Sequence, residues 1–311
     1  LAKVLITYGG TALVAFQWWR TGIRWFVHGN TQVFFTTYTS FTLLLGFFYG
    51  LVYTADLKRL LSGVECPLIP YWSVLFTRGT SLSLLMSQII AVFMLSIERL
   101  YSAISPIHFE RTHTRSISIV STIFSGVGGF ALVIGMMIPG VDLDEYYAIT
   151  SLSTPSNKYN YLVLVWIMAL VEATSFITFH IDIIINFTRK AHSGSPISLR
   201  YQLQENRRVI FALLPIEYSH SICAITSTLA NALYPYILQD DSPLSLQFYA
   251  EIVALPPYFP LIFSIIMMLR HRNRKRNVAD ILQDSKGETY FEQLQKQWGG
   301  EAQPHETAQP P

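Results

Sequence analysis

Seven apolar stretches are the feature that most limits what this chain can fold into. They cover residues 4–19, 34–53, 72–97, 117–138, 161–187, 209–233 and 249–269. A helix that crosses a bilayer needs about 20 predominantly apolar residues. Backbone polar groups in lipid must be satisfied within the segment, and these runs lack the period-2 alternation of a transmembrane barrel. The sequence therefore predicts an all-α membrane protein built as a seven-transmembrane helix bundle.

Composition and the distribution of charge support a membrane domain followed by a polar tail. Only 14% of the 311 residues are charged, whereas a soluble domain carries about 25%. Two cysteines, Cys66 and Cys223, are too few for a disulfide-stapled secreted domain. We expect residues 1–269 to form the bundle. Residues 270–311 begin with the basic run "RHRNRKR", which fits an anchor on anionic lipid, and continue into a largely disordered tail.

Lys and Arg are unevenly distributed between alternate loops, and this asymmetry predicts the orientation of the bundle. One set of loops carries most of the positive charge, at Arg20, Arg24, Arg99, Arg111, Arg115, Arg189, Lys190, Arg200, Arg207, Arg208 and within 270–276. The opposite loops are poor in these residues and carry Asp142, Asp144, Glu145, Asp240 and Asp241. Because cytoplasmic loops hold the excess of Lys and Arg, we expect the amino terminus outside and the carboxyl tail in the cytoplasm.

Ionisable residues inside the apolar stretches are the best indication of a binding site. Arg78, Glu172, His220 and Glu251 are the candidates in the middle or outer half of the bundle, and Trp166 can supply an apolar wall. Each charge is costly in lipid and is expected to face the bundle interior. At a rise of about 1.5 Å per residue, Glu172 and His220 both fall near the midplane. The alternative is that these residues pair with one another, or with backbone carbonyls, and only hold helices together.

A second group of polar residues lies towards the predicted cytoplasmic ends of the third and sixth stretches. Glu98 and Arg99 are adjacent in "SIERLYSAISP", and Arg207 and Arg208 stand in "LRYQLQENRRV". The Glu-Arg pair could change partners between two helix arrangements, or it could be a charge pair at the membrane interface. Glu217 follows two residues after a proline and is expected to face the bundle, neutral or partnered. We interpret these five residues as candidates for switching and coupling to a partner.

The motifs in these two regions resemble those of the nematode serpentine chemoreceptors of the Sra superfamily, the Sra, Srab, Srb and Sre group. In that group an Ile/Phe-Glu-Arg motif ends the third helix, matched here by Glu98 and Arg99. A Phe/Tyr-Glu pair follows, matched by Phe109 and Glu110. The motif Leu-Ser-x-Arg-Tyr-Gln-Leu-x-Glu-Asn-x-Arg precedes the sixth helix and is matched by 198–208 with its first Ser and Leu exchanged. The seven-span layout extends the resemblance over about residues 1–276.

The resemblance implies a chemosensory G-protein-coupled receptor in the plasma membrane, including that of sensory cilia. Its partners would be a small external molecule bound in the bundle, a heterotrimeric G protein and membrane lipids. A small-solute or proton-coupled transporter or channel is the alternative, with Glu172, Asp182 and Glu217 marking the path. The absence of repeated halves counts against it. No catalytic, nucleic-acid, cofactor or metal motif stands out, so we predict no enzyme and no cofactor.

Three local features carry further structural expectations. Rhodopsin-like receptors join the top of the third helix to the second outer loop by a disulfide, but residues 141–160 contain no cysteine to pair with Cys66. "SGVGG" at 125–129 offers small residues for close helix packing. The prolines of "ALPPYFPLIF" are expected to break or kink the seventh helix, because each removes a backbone donor.

Overall fold

The structure, a computed structural model, describes residues 1–21, 29–61, 68–105, 109, 115–147, 152–154, 156–189, 197–237, 249 and 252–270. These residues form helices α1 (Ala2–Thr21), α2 (Gly29–Leu61), α3 (Tyr71–Ile104), α4 (Arg115–Met137), α5 (Lys158–Thr188), α6 (Ile197–Ile237) and α7 (Pro256–Arg270). Helices α2 to α6 are long and apolar enough to cross a membrane, and α7 is a shorter apolar helix. The predicted all-α membrane architecture is confirmed.

The chain divides into two units, residues 1–266 and 267–311. The predicted boundary between bundle and tail, at 269 and 270, stays a prediction.

Helix α3 lies at the centre of the bundle. It packs against α2, α4, α5 and α6. In the most apolar segment of the helix, 61% of the residues are buried. Near its start, Leu75–Gly79 forms a π-helical turn before regular α-helix resumes at Thr80–Ile104. A π-turn inserts one residue into a helix and rotates the later residues about the helix axis, and such turns are frequent at functional sites. The central position of α3 explains why polar residues on it meet partners from several helices.

The small residues of the fourth stretch allow α4 to approach α3 closely. A Cβ atom added at Gly129 would lie 2.7 Å from the backbone nitrogen of Ser87. Ser125 is fully buried, and the Ser87 hydroxyl donates to the Gly126 carbonyl at 3.4 Å. The predicted packing role of residues 125–129 is confirmed.

Helix α6 runs without interruption from the basic stretch into the apolar one. Leu203, Val209 and Ile210 are buried on one face, as their helical spacing predicts. Gly194 and Pro196 precede this helix and predict a break in the chain before it; they lie outside the described residues. One 41-residue helix therefore carries both the charged segment and the intramembrane polar residues.

The seventh apolar stretch is helical on both sides of a break. Residues 249, 252 and 253 are helical, and α7 (Pro256–Arg270) begins after the break with a 3₁₀ turn through Tyr258. Residues 254 and 255 have no helical structure, so the prolines break the helix as expected. Pro256 and Pro257 occupy the first turn, where a missing backbone donor costs nothing because those N–H groups have no intrahelical acceptor.

At the end of the bundle opposite Arg99, a short hairpin-like pairing joins α3 to the segment between α4 and α5. Strand β1 (Ile69–Pro70) pairs antiparallel with strand β2 (Tyr146–Tyr147). The pairing continues where the Tyr71 N–H donates to the Glu145 carbonyl at 2.9 Å. Backbone hydrogen bonds therefore make the connection for which rhodopsin-like receptors use a disulfide. Cys66 lies outside the described residues.

Asn157 completes this attachment from the start of α5. Its side-chain amide donates to the Tyr71 hydroxyl at 2.9 Å, to the Leu152 carbonyl at 3.0 Å and to the Met137 carbonyl at 3.4 Å. The Tyr71 hydroxyl in turn donates to the Leu152 carbonyl at 3.0 Å. One buried amide thus links the starts of α3 and α5, the end of α4 and the segment that precedes α5.

Candidate functional site

Five buried polar residues form what we call the central cluster, between α5 and α6. Glu172 and Ser175 are three residues apart on α5, and Glu217, His220 and Ser221 are three and four apart on α6. Residues at these spacings share one helix face. None of the five is more than 6% exposed. The two helices therefore meet through ionisable and hydroxyl side chains at this level of the bundle.

Glu172 is the main acceptor in the central cluster. The Ser221 hydroxyl donates to its Oε1 at 2.6 Å, and His220 Nδ1 lies 3.1 Å from the same oxygen. The other carboxyl oxygen, Oε2, and the other imidazole nitrogen, His220 Nε2, have no hydrogen-bond partner among the described residues. Among the described residues, Glu172 and His220 therefore each have one polar atom with a hydrogen-bond partner and one without.

Glu217 adds a second carboxyl group to the same region. It accepts one long hydrogen bond, from the Ser175 hydroxyl at 3.4 Å, and Ser96 of α3 lies 3.4 Å from that hydroxyl. The carboxyl groups of Glu172 and Glu217 are close enough to repel each other when both are ionised. Within the described part of the chain, neither carboxyl has an ion pair with Lys or Arg. A buried carboxylate without a counter-charge costs several kcal/mol.

Aromatic rings from α2 and α7 close one side of the central cluster. The ring centroids of Tyr38 and Phe259 lie 5.6 Å and 5.3 Å from that of His220, both edge-on, and Phe263 packs against Tyr38 at 5.7 Å. The Tyr38 hydroxyl is buried without a hydrogen-bond partner among the described residues. These rings carry no distinguishing signal in the sequence, because aromatic residues are common throughout the apolar stretches.

The structure brings together only some of the predicted ligand-binding residues. Glu172 and His220 meet in the central cluster. Arg78 lies apart, where its Nη2 donates to Asp56 Oδ2 of α2 at 2.9 Å. The side chain of Trp166 is 43% exposed on the outer surface of the bundle. Glu251 lies outside the described residues. Ligand contact by any of these residues stays a prediction.

The other end of the bundle, which we call the basic end, contains Arg99 of α3. This residue is 2% exposed and donates from Nη2 to Glu98 Oε1 at 2.6 Å. Its guanidinium lies 5.7 Å from the Phe109 ring centroid and attracts the buried Asp182 carboxylate of α5. Asp182 also accepts a 2.6 Å hydrogen bond from the Asn186 amide. Arg99 is therefore enclosed by side chains and not presented on the surface.

Asn206 connects α6 to α3 at the basic end. The Ser102 hydroxyl donates to Asn206 Oδ1 at 2.8 Å, and the Asn206 amide lies 3.4 Å from the Ser102 carbonyl. Both side chains are no more than 3% exposed. Asn206 belongs to the basic motif that precedes the sixth stretch, but only its charged neighbours stood out in the sequence.

Two arginines donate hydrogen bonds to backbone carbonyls at the carboxyl ends of helices. Arg189, just after α5, donates to the Ala103 carbonyl at 2.7 Å and to the Ile104 carbonyl at 3.1 Å. Arg207 of α6 donates to the Asn186 carbonyl at 3.0 Å and to the Arg189 carbonyl at 3.1 Å. Cations are favourable at helix carboxyl ends, where carbonyls lack intrahelical partners.

The two arginines predicted for coupling thus differ in their surroundings. Arg207 is half-buried and bonded to α5, with its guanidinium 5.8 Å from the Phe187 ring centroid. Arg208 is exposed. A movement of α6 away from α5 would break the Arg207 bonds, whereas Arg208 already faces outward.

Comparison with known proteins identifies the family. The model of the serpentine type 7TM GPCR receptor class ab chemoreceptor family matches residues 1–299, which include all seven helices. Among curated proteins, none matches the chain. The apolar helices and this match make the chain a multi-pass membrane protein, and the family is a class of receptors. From the four-family group that the sequence motifs resembled, the comparison selects one: the chain belongs to the class ab (Srab) family of serpentine seven-transmembrane chemoreceptors.

Proposed function

We propose that this protein is a chemosensory receptor that binds a small external molecule at the central cluster and signals to a cytoplasmic G protein from the basic end. The observation that carries the proposal is that α6 makes buried polar contacts at both levels. Its His220 and Ser221 bond to Glu172 of α5, and its Asn206 bonds to Ser102 of α3. The orientation that the proposal requires, amino terminus outside, is the one that the Lys and Arg distribution predicts.

The mechanism requires two packings of α6 with different affinities for the ligand. A ligand shifts the equilibrium between two packings only by the difference between its affinities for them. In the packing described here, α6 is held against α3 by Asn206 and against the end of α5 by Arg207. A ligand that repositions His220 would favour a packing in which these bonds are broken and the basic end is open. A cytoplasmic partner would then reach Arg99, which is buried in the present packing.

Pro215 gives α6 a place at which to change shape. A proline inside a helix removes one backbone hydrogen bond and crowds the preceding turn. It lies between Asn206 and His220, and Glu217 comes two residues later. We expect Glu217→Gln to change basal signalling with little effect on ligand affinity, and His220→Ala to weaken ligand binding.

The decisive test is G-protein activation by the full-length receptor at matched surface levels. Arg207→Ala should alter activation because it releases α6 from two α5 carbonyls, while ligand binding stays intact. Arg208→Ala is the matched control for charge. It removes the same charge without removing the two Arg207 bonds, so it should change activation less than Arg207→Ala does. If Arg207→Ala loses ligand binding while coupling is unchanged, the coupling role proposed for Arg207 is wrong.

Orientation and the transporter alternative have tests of their own. Glycosylation acceptors inserted within 142–158 or near Asp240 should be modified in microsomes, and acceptors near His192 or in the tail should not. Modification of the tail insertions would overturn the receptor proposal. Ion or proton flux in reconstituted vesicles that disappears with Glu172→Gln, without G-protein activation in cells, would establish a transporter or channel instead.

A further inference from the structure

We propose that the ligand is a small organic ammonium ion whose charged group binds between Glu172, His220 and Tyr38. This inference rests on the proposed receptor function and adds the chemical class of the ligand. It depends on the charge of the central cluster, on its unused hydrogen-bonding atoms and on the rings around it.

The charge balance of the central cluster calls for a cation. Two carboxyl groups, Glu172 and Glu217, share the site with one imidazole, and both helices that supply them lie in apolar spans. His220 from α6 bonds to Glu172, and Tyr38 from α2 packs against the His220 ring. The packed residue from α3, Ser96, and the one from α7, Phe259, are uncharged. Even with His220 protonated, one carboxyl group needs a proton or a cation to become neutral.

The unused atoms match the donors of an ammonium group. Glu172 Oε2 and the Tyr38 hydroxyl oxygen are acceptors without partners among the described residues, and His220 Nε2 accepts in one tautomer. All three residues are more than nine-tenths buried. The Tyr38 ring packs against the ring of His220, whose Nδ1 lies 3.1 Å from Glu172 Oε1. An ammonium ion carries up to three N–H donors and no acceptor, as a lysine side chain does.

The aromatic side of the site suits the same ligand. Tyr38, Phe259 and Phe263 pack as a group next to His220. The faces of aromatic rings attract cations, and desolvated contacts of this kind are worth about 2 kcal/mol. The same rings provide apolar contacts for a short alkyl or aryl group. Recognition of a neutral alcohol would use the rings but would leave the carboxyl charge without a counter-ion.

The experiment uses the purified full-length receptor in lipid nanodiscs, with thermal unfolding and ligand titration between pH 6 and pH 8 (roughly the range in which alkylamines stay charged). The probes are butylamine, isoamylamine and 2-phenylethylamine, each compared with its neutral alcohol. We expect at least one amine to stabilise the receptor more than its alcohol does. Glu172→Gln, which retains an acceptor for Ser221, should weaken that amine at least tenfold. Asp56→Asn removes a carboxyl outside the cluster and should leave the preference unchanged.

Tyr38→Phe keeps the ring and removes only the hydroxyl, so it provides a second variant should Glu172→Gln fail to fold. It should weaken the same amine several-fold and leave the alcohol unaffected. Stabilisation by no amine beyond its alcohol would overturn the inference. So would equal binding of the amine to wild type and Glu172→Gln, or stabilisation by acid alone, which would make the proton the only cation. Amine binding without G-protein activation in cells would support the ammonium site and reject the receptor function.

Discussion

The central cluster and the basic end both join α6 to its neighbours, but they do so with different kinds of bonds. In the central cluster, side chains bond to side chains, and Glu172 and His220 each keep one unused polar atom. At the basic end, Arg189 and Arg207 bond to backbone carbonyls, and Asn206 bonds to both the side chain and the backbone of Ser102. The contacts of the first region depend on protonation and on the molecule bound there. Those of the second depend on where the helix ends lie.

This difference assigns separate tasks to the two regions. Carbonyls at a helix end cannot change their charge, so the Arg207 bonds report only the position of α6 relative to α5. The carboxyl groups of Glu172 and Glu217 can change charge without any movement of the backbone. Under the proposed function, the ligand would therefore act at the central cluster, and the partner would detect the displacement of α6 at the basic end.

The largest effect should come from Arg99→Ala at the basic end. Removing the guanidinium leaves Glu98 buried with an unpaired charge, which should lower the free energy of unfolding by about 3–5 kcal/mol. The measurement is unfolding of the purified receptor in micelles. The matched control is Glu98→Gln combined with Arg99→Met, which removes both charges at similar volume and should be far less destabilising. A single variant as stable as this double variant would show that the ion pair is not buried in the membrane-bound receptor.

A smaller loss is expected from Glu172→Ala in the central cluster. His220 and Ser221 lose their shared acceptor, and a buried polar group left without a partner costs about 1–3 kcal/mol. Glu172→Gln keeps an acceptor at the same place and should recover much of the loss. Unfolding of the two variants side by side gives the comparison. Equal destabilisation would mean that the charge of Glu172, and not the shared acceptor or the packing volume, is its contribution.

Asn206→Ala should cost less still, about 1 kcal/mol for the lost hydrogen bond between α3 and α6. Its distinctive result should be higher basal signalling, because α6 is released from α3 at the basic end. A double-mutant cycle with Ser102→Ala isolates the pair, and we expect the two substitutions to be non-additive. Additive effects on stability and unchanged basal activity would remove this contact from the switch.

The smallest effect should come from Asp56→Asn at the far end from Arg99. The Asp56 and Arg78 side chains are 23% and 21% exposed, and partly exposed ion pairs contribute about 0–1 kcal/mol. Thermal unfolding should shift little, and the shift should decrease further at high salt. A loss comparable to that of Glu172→Ala would show that Arg78 is structurally as important as the central cluster.

Much of the fold was predictable, because apolar stretches of span length leave the backbone few alternatives to helix. The small residues at 125–129 and the break before α7 were predicted for similarly local reasons. Residues 249, 252 and 253 are helical and residues 254 and 255 are not, so the prolines placed this break correctly, because each removes a backbone donor.

The candidate site was less predictable, since it depends on which residues of different helices come into contact. Glu172 and His220 were identifiable as costly charges in lipid, and their pairing with one another was an open alternative that the sequence could not decide. Tyr38 and Phe259 carried no signal among the many aromatic residues of the spans. Asn206 and Arg189 stood in motifs or charge runs whose neighbours were more conspicuous.

The sequence by itself determined the membrane class, the helical state, the receptor-like motifs and the presence of ionisable residues that lipid would not tolerate unpartnered. These properties depend on hydropathy, on spacing along one helix and on the charge of the loops, all of which are local to the chain. Only the tertiary structure decided that Glu172 meets His220 while Arg78 meets Asp56, and that Arg207 is bonded where Arg208 is exposed. Such pairings depend on the rotation and depth of each helix against its neighbours, and these are set by the packing of the whole bundle.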